Sequence, residues 1–294
     1  MSKRLLLILN PISGKMKGKR HLADVLEAFC RASYIPTVFT TTGRGNARDL
    51  AYTYGGEADL VVCLGGDGTF NEVVCGLLDG GHTTPIGYIP CGSTNDFASS
   101  IGLENTVSSA VAAILEGVPH TYDVGLFGDR CFSYVASFGI FSRASYATPQ
   151  NRKNALGHLA YVLEGIKELS HVRSWHVRFE TDGDVVEGDY IFGAVSNATS
   201  VGGVLTLDPK TVDMNDGKLE LLLVKMPRNA AELSECVVAL TKKKYDTDAI
   251  TFLSRSDFVV TADPDMEWSL DGEWGSGADR IHIRNRRDAI TLIH

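Results

Sequence analysis

Leu60-Val61-Val62-Cys63-Leu64-Gly65-Gly66-Asp67-Gly68-Thr69-Phe70-Asn71-Glu72-Val73 decides how the chain is read. Leu60–Leu64 is a short apolar run without alternation, as a strand buried on both faces requires. Adjacent glycines follow at once, and Asn71–Leu78 resumes with helical spacing until Gly80-Gly81 closes it. A strand, a glycine turn and a helix in this order form half of a parallel βαβ unit.

Working outward, the same texture fills the first ~125 residues. Arg4–Leu9 is an apolar strand ended by Asn10-Pro11, and His21–Ala32 has helical spacing at Leu22, Val25, Leu26 and Phe29. Thr37–Thr41 is β-branched, Ala47–Tyr54 is helical, and Pro85–Pro90 is a strand. A parallel sheet covered by helices is expected. After Asp123 the signals change to hairpins. Gly128-Asp129 and Thr181-Asp182-Gly183-Asp184 each separate two strand-like runs. Strands are expected at Trp175–Glu180, Val185–Tyr190, Tyr190–Val195, Leu219–Val224, Asp257–Ala262, Arg280–Arg284 and Ala289–Ile293. Helices are expected near Ala155–Leu169 and Ala230–Lys242. The fold class is therefore α/β, with residues 1–125 as an α/β domain and residues 126–294 as a mostly antiparallel β domain.

Composition narrows the function. The 294 residues carry a net charge of -8, which argues against a nucleic-acid binder. Lys3, Arg4, Lys15, Lys17, Lys19 and Arg20 nonetheless form an acid-free basic start. Leu5–Leu9, the longest aliphatic run there, is far shorter than the ~20 apolar residues of a membrane span. It is also too short for a signal peptide. Six cysteines without a C-x-x-C read as thiols of a reducing compartment, and eight histidines without H-E-x-x-H argue against zinc.

Three loops fall where a parallel sheet binds ligands, beyond the carboxyl ends of its strands. They are Asn10-Pro11-Ile12-Ser13-Gly14-Lys15, Gly65–Thr69, and Pro90-Cys91-Gly92-Ser93-Thr94-Asn95-Asp96. Each alone reads as a tight turn. Together they read as an anion cradle, because glycine lets backbone N–H groups approach phosphate and the following helix adds positive charge. Ser13, Thr69, Ser93 and Thr94 add hydroxyl donors. Asp67 and Asp96 would repel a bare phosphate, so a Mg²⁺-nucleotide fits better than a simple anion. No G-x-x-x-x-G-K-[ST], no Rossmann fingerprint, no G-x-S-x-G and no H-R-D occurs.

Gly65–Val73 resembles the signature of the diacylglycerol kinase catalytic domain family, which includes bacterial lipid kinases and sphingosine kinases. Pro90–Ala98 resembles the family's second motif, Asn10–Gly14 its first loop, and Leu270-Asp271-Gly272-Glu273 its distal D-G-E. The resemblance implies an N-terminal α/β domain like that of NAD kinases and phosphofructokinases, and a C-terminal β-sandwich. It implies ATP as co-substrate, lined by Asn10, Pro11, Ser13, Gly14, Lys15, Thr41, Gly65, Gly66, Asp67, Gly68, Thr69, Glu72, Ser93, Thr94 and Asn95. It implies Mg²⁺ at Asp67, in a network with Asp96 and Asp123. A structural Mg²⁺ is implied at Asp213, Asp216 and Lys218, where Asn215 stands in place of a usual acid.

Asp271 is expected to take the proton of a lipid hydroxyl, with Glu273 as the alternative. Lys15, Arg152 and Lys153 are candidate phosphate partners. Diacylglycerol is the leading acceptor. The alternatives are a kinase of a sphingoid base or of NAD, and a non-catalytic regulator that binds nucleotide or lipid. A cytoplasmic protein is expected that docks transiently on a membrane surface, with a homodimer as one assembly and no nucleic-acid partner.

Overall fold

The chain, described by a computed structural model over residues 2–140, 173–201, 205–245 and 247–294, divides into two units. One comprises Met1–Val124 with Arg287–His294, and the other Gly125–Arg286.

The first unit contains β1 (Lys3–Leu9), α1 (Lys17–Arg31), β2 (Tyr34–Thr40), α2 (Asn46–Tyr54), β3 (Leu60–Gly65), α3 (Asp67–Asp79), β4 (Ile86–Pro90), α4 (Asp96–Ser100) and α5 (Val107–Glu116). Its strands lie in the order β2-β1-β3-β4, all parallel. Leu7 is in register with Val38 and Val62, and Cys63 with Tyr88. Leu5, Leu7, Leu9, Val62 and Leu64 pack with Val25 and Phe29 of α1 and Val111 and Ile114 of α5. Every residue of β3 and β4 is buried, which is why these strands read as unbroken apolar runs. The helix after β3 begins at Asp67, four residues before its expected start, because the glycine turn passes directly into the first helical turn. The sequence reading passes over α5, whose Thr106 hydroxyl caps it by accepting from the Ser109 N–H.

The remaining strands are β5 (Pro119–Phe127), β6 (Arg130–Phe132), β7 (Val135–Gly139), β8 (Trp175–Thr181), β9 (Asp184–Ser196), β10 (Ser200–Val201), β11 (Leu205–Thr206), β12 (Leu219–Lys225), β13 (Ile250–Arg255), β14 (Asp257–Ala262), β15 (Trp268–Leu270), β16 (Glu273–Gly275) and β17 (Arg280–Ile293). The helix α6 (Ala230–Thr241) follows β12. In the second unit the order is β16-β15-β7-β9-β8-β14-β17, with β12 joining β9 to β13. The pairs are antiparallel, and Phe138, Phe179, Phe258, Trp268, Leu221 and Ile283 fill the core.

Two expected strand pairs are single long strands. β9 alternates over its first half and is wholly buried over its second, so one strand carries two hydrophobic patterns. β17 alternates on either side of an exposed stretch at Arg286–Asp288, and Leu292 near its end pairs in parallel with Ile86 of the first unit. Cys30, Cys63, Cys91 and Cys236 are free thiols. Cys75 and Cys131 are not, a departure from the expectation of thiols throughout. The expected helix at 155–169, and Arg152 and Lys153, lie outside the described residues.

Candidate functional site

The three glycine loops meet. The Asn10 N–H donates to the Leu64 carbonyl (3.0 Å), the Cys91 N–H to the Gly65 carbonyl (2.7 Å) and the Thr41 N–H to the Leu9 carbonyl (2.8 Å), so the sheet ladder carries on into the loops. The Asn10 side chain donates to Thr69 Oγ1 at 2.9 Å, tying the first loop to the second. Gly14 has φ +50° and packs on the Cys91 carbonyl; a Cβ there would stand 1.6 Å from that oxygen. A Cβ on Gly66 would stand 3.0 Å from Gly92 Cα and 3.4 Å from Ser13 Oγ. Side chains larger than hydrogen would push the three loops apart. Gly68, in the first turn of α3, is different: a Cβ there meets nothing within 4 Å. Its bare backbone faces open space at a helix N-terminus, where an anion is favoured.

Asp67 is 7% exposed. Its carboxylate accepts from the Phe97 N–H (3.3 Å) and from Thr94 Oγ (3.2 Å), at the start of α4. Burial raises its pKa, and the amides of Asp96 and Phe97 pull it back. Its carboxylate oxygens are hard donors of the kind that suits Mg²⁺. On the same helix, Phe70 stacks on Tyr88 with centroids 4.4 Å apart and meets Phe97 in a tilted contact at 4.6 Å. Asn95 adopts φ 53° and closes the third loop by accepting from the Gly92 N–H (2.8 Å). Asp96 and Asp123 are buried, and Asp123 accepts from the Asp288 N–H (2.8 Å). Glu72 turns toward α2, where its two oxygens accept from the Gly45 (2.7 Å) and Ala47 (3.0 Å) amides. Ser93 and Thr94 are exposed, Pro11, Ser13 and Thr41 half-buried, and Lys15 falls in a 3₁₀ turn over Ser13–Met16.

In the second unit Asp271 and Gly272 form the turn between β15 and β16, with φ 50° and 83°. Two left-handed residues in succession are what a two-residue hairpin demands. The turn puts the Asp271 carboxylate, 4% exposed, into a nest of donors. Oδ2 accepts from the Ser133 N–H and from Ser133 Oγ (2.8 Å); Oδ1 accepts from the N–H groups of Tyr134 (3.1 Å) and Val135 (2.8 Å). Burial pushes its pKa up to about 7 against these hydrogen bonds, which favour the charged form. Sequence reasoning missed Ser133, because nothing local links it to a residue 138 positions away. Glu273 follows, half-buried, and Trp274 is 52% exposed with its carbonyl accepting from Arg130 Nη1 (3.3 Å).

The 213–218 loop is a chain of tight turns. Asp213 Oδ1 accepts from the Asn215 N–H (3.0 Å) and Asp216 Oδ1 from the Lys218 N–H (2.9 Å). Buried Asn197 donates to the Met214 carbonyl (3.5 Å) and Asn285 to the Lys218 carbonyl (2.9 Å). Glu220, two residues on, is 1% exposed; its Oε1 accepts from Ser254 Oγ (3.1 Å) and its Oε2 has no hydrogen-bond partner. Among the described residues no three His, Cys, Asp or Glu side chains are gathered for a metal, so a cation here would lean on backbone carbonyls. The carbonyl and carboxylate oxygens, with the orphaned buried oxygen of Glu220, fit a hard divalent cation.

Comparison with known proteins agrees with this architecture. Residues 4–127 match the model of the diacylglycerol kinase catalytic domain, and residues 134–293 that of the YegS C-terminal NAD kinase beta sandwich-like domain. The expected α/β domain followed by a β-sandwich is thereby borne out. A diacylglycerol kinase of Bacillus subtilis (strain 168) is 34% identical over 275 residues, covering 93% of this chain and 90% of its own. One from Staphylococcus saprophyticus is 30% identical over 281 residues, covering 94% and 90%. The solved structure of a diacylglycerol kinase from Bacillus anthracis str. Sterne superposes with a TM-score of 0.76 at 20% identity, covering 99% of this chain and 97% of that one. Another solved chain from that strain gives 0.83 at 23% identity over the same shares. These glycine loops, the D-G-E hairpin and the full-length relatives place the chain in the diacylglycerol kinase catalytic domain family.

Proposed function

We propose that the chain transfers the γ-phosphate of ATP to a lipid hydroxyl, diacylglycerol before other acceptors. The observation that carries this reading is the convergence of Ser13, Gly66 and Gly92, two residues before the open backbone at Gly68. The relatives bearing the name diacylglycerol kinase support the acceptor class.

Residues 1–125 hold the nucleotide and residues 126–294 the acceptor in this reading. Asn10, Pro11, Ser13, Gly14, Lys15, Thr41, Gly65–Thr69, Ser93, Thr94 and Asn95 line the ATP. Glu72 acts through the 45–47 turn. Asp67 is the Mg²⁺ residue, supported by Asp96 and Asp123, and a bound Mg²⁺ would neutralise phosphate charge. The Asp216 carboxylate and the Asp213 and Lys218 carbonyls hold a second, structural Mg²⁺. Asp271 takes the hydroxyl proton as the lipid oxygen forms its bond to phosphorus and the bond to ADP breaks, with Glu273 beside it. A carboxylate poised near neutrality suits that proton transfer.

Access to a lipid requires transient docking on a membrane surface. Among the described residues no helix is long and apolar enough to cross one. The half-exposed indole of Trp274 and the neighbouring Arg130 support an interfacial contact. The cytoplasmic location and a homodimer rest on the family likeness.

The test is Mg²⁺-dependent transfer from labelled ATP in mixed micelles to diacylglycerol, sphingosine, ceramide and monoacylglycerol, with NAD as the soluble control. Label in diacylglycerol is expected; label in NAD alone overturns the lipid reading. Stronger binding to anionic than to neutral vesicles is expected of the docking.

A further inference from the structure

Glu220 stands on β12 between two hydroxyl neighbours, in register with Ser196 of β9 and Ser254 of β13. Its flanking residues Leu219 and Leu221 belong to the apolar core, so the carboxylate lies on the opposite face of the strand. One oxygen is satisfied by Ser254 and the other is buried without a partner. A carboxylate oxygen left so is costly, and a bound ion is one of the things that can complete it. The charges of Asp216 and Lys218 act on this carboxylate, which places the 213–218 loop within its electrostatic reach. Buried Asn197 and half-buried Asn285 each donate to one of the loop's carbonyls. Exposed turns do not ordinarily need such a floor. The loop itself carries Asn215 between Asp213 and Asp216, so it offers little negative charge for a divalent ion.

We propose that Glu220 supplies the second carboxylate of a divalent-cation site at the 213–218 loop, replacing from below the charge that Asn215 does not provide. The inference rests on the reading of that loop as a cation site. Glu220 then links the ion to the sheet, because its strand is paired on both sides. The loop's turns are thereby tied to β9 and β13, and the ion acts as a rivet for the second unit.

Isothermal titration of Mg²⁺ into the nucleotide-free full chain tests this, alongside the Mg²⁺-dependent rise in melting temperature. Wild type, Asp216→Asn, Glu220→Gln and Glu220→Asp are compared. Wild type should bind, Asp216→Asn should not, and Glu220→Gln should lose affinity by about 10–100-fold, the range for supporting groups of metal sites. Glu220→Asp should recover part of that loss. Wild-type affinity in Glu220→Gln, with Asp216→Asn silent, overturns the role of Glu220 and leaves the loop site standing. A silent wild type, or undiminished binding by Asp216→Asn, overturns the loop site and the inference with it.

Discussion

Gly66 and Gly92 lie back to back: a Cβ on Gly92 would stand 2.7 Å from the Gly66 Cα, and one on Gly66 3.0 Å from the Gly92 Cα. Two loops following neighbouring strands are thus in backbone contact, and their spacing is fixed by the absence of two methyl groups. Gly92→Ala should cost about 1–3 kcal/mol of stability, since backbone must move to admit the methyl. Gly68→Ala should fold like the wild type, because its methyl enters open space, yet raise the KM for ATP by about tenfold or more. Thermal denaturation and ATP titration of the two variants separate these effects. Equal melting temperatures would refute the steric account of Gly92.

Asp271→Asn should lower kcat by about 10²–10⁴-fold while leaving ATP affinity near that of the wild type. In the wild type, activity should fall below pH of about 7 as the carboxyl gains its proton. The same group shapes stability. Its folded pKa is raised above the unfolded value of 3.8, so the folded state binds more protons between the two values. Its contribution is fully present below pH 3.8 and is lost as pH rises through about 7. Denaturant titrations at several pH values should show this downward slope.

Ser133→Ala should move the acid limb of the rate profile upward. The hydroxyl donates to the charged form of Asp271, so its loss favours the protonated form. A hydrogen bond to a charged group of ordinary strength corresponds to about one to two pH units. The pH dependence of kcat measures it, and an unmoved limb would show that Ser133 does not govern this proton.

Glu72→Ala should cost about 1–2 kcal/mol of stability, measured by denaturant unfolding. Its two oxygens hold the Gly45 and Ala47 amides at the start of α2, which no cap side chain serves there. A large rise in the KM for ATP with unchanged stability would instead make it a nucleotide contact.

Much of this was legible in the chain itself, and what was hidden has a common cause. The 60–78 segment could be read because a strand buried on both faces and two adjacent glycines leave a local trace. The turn at Asp271-Gly272 could be read for the same reason. The fate of Glu72 could not, because its partners lie 25 and 27 residues away and no spacing announces them. Ser133, Asn285 and the empty oxygen of Glu220 are also products of long-range pairing. β9 and β17 were each read as two strands because a change of environment along one strand mimics a boundary.

The last strand bears on how the protein is made. Arg280–Arg284 pairs with β14, whereas Leu292 completes the first unit's sheet beside Ile86. The first unit is therefore interrupted by the whole of the second. A ribosome working from the amino end delivers β4 long before it delivers the strand that borders it. The usual order, in which the leading domain finishes while the next is still being synthesised, is closed to this topology. A nascent chain stalled at residue 125 should hold an open sheet edge beside β4, and a fragment cut there should be a poorer folder than its apolar core suggests.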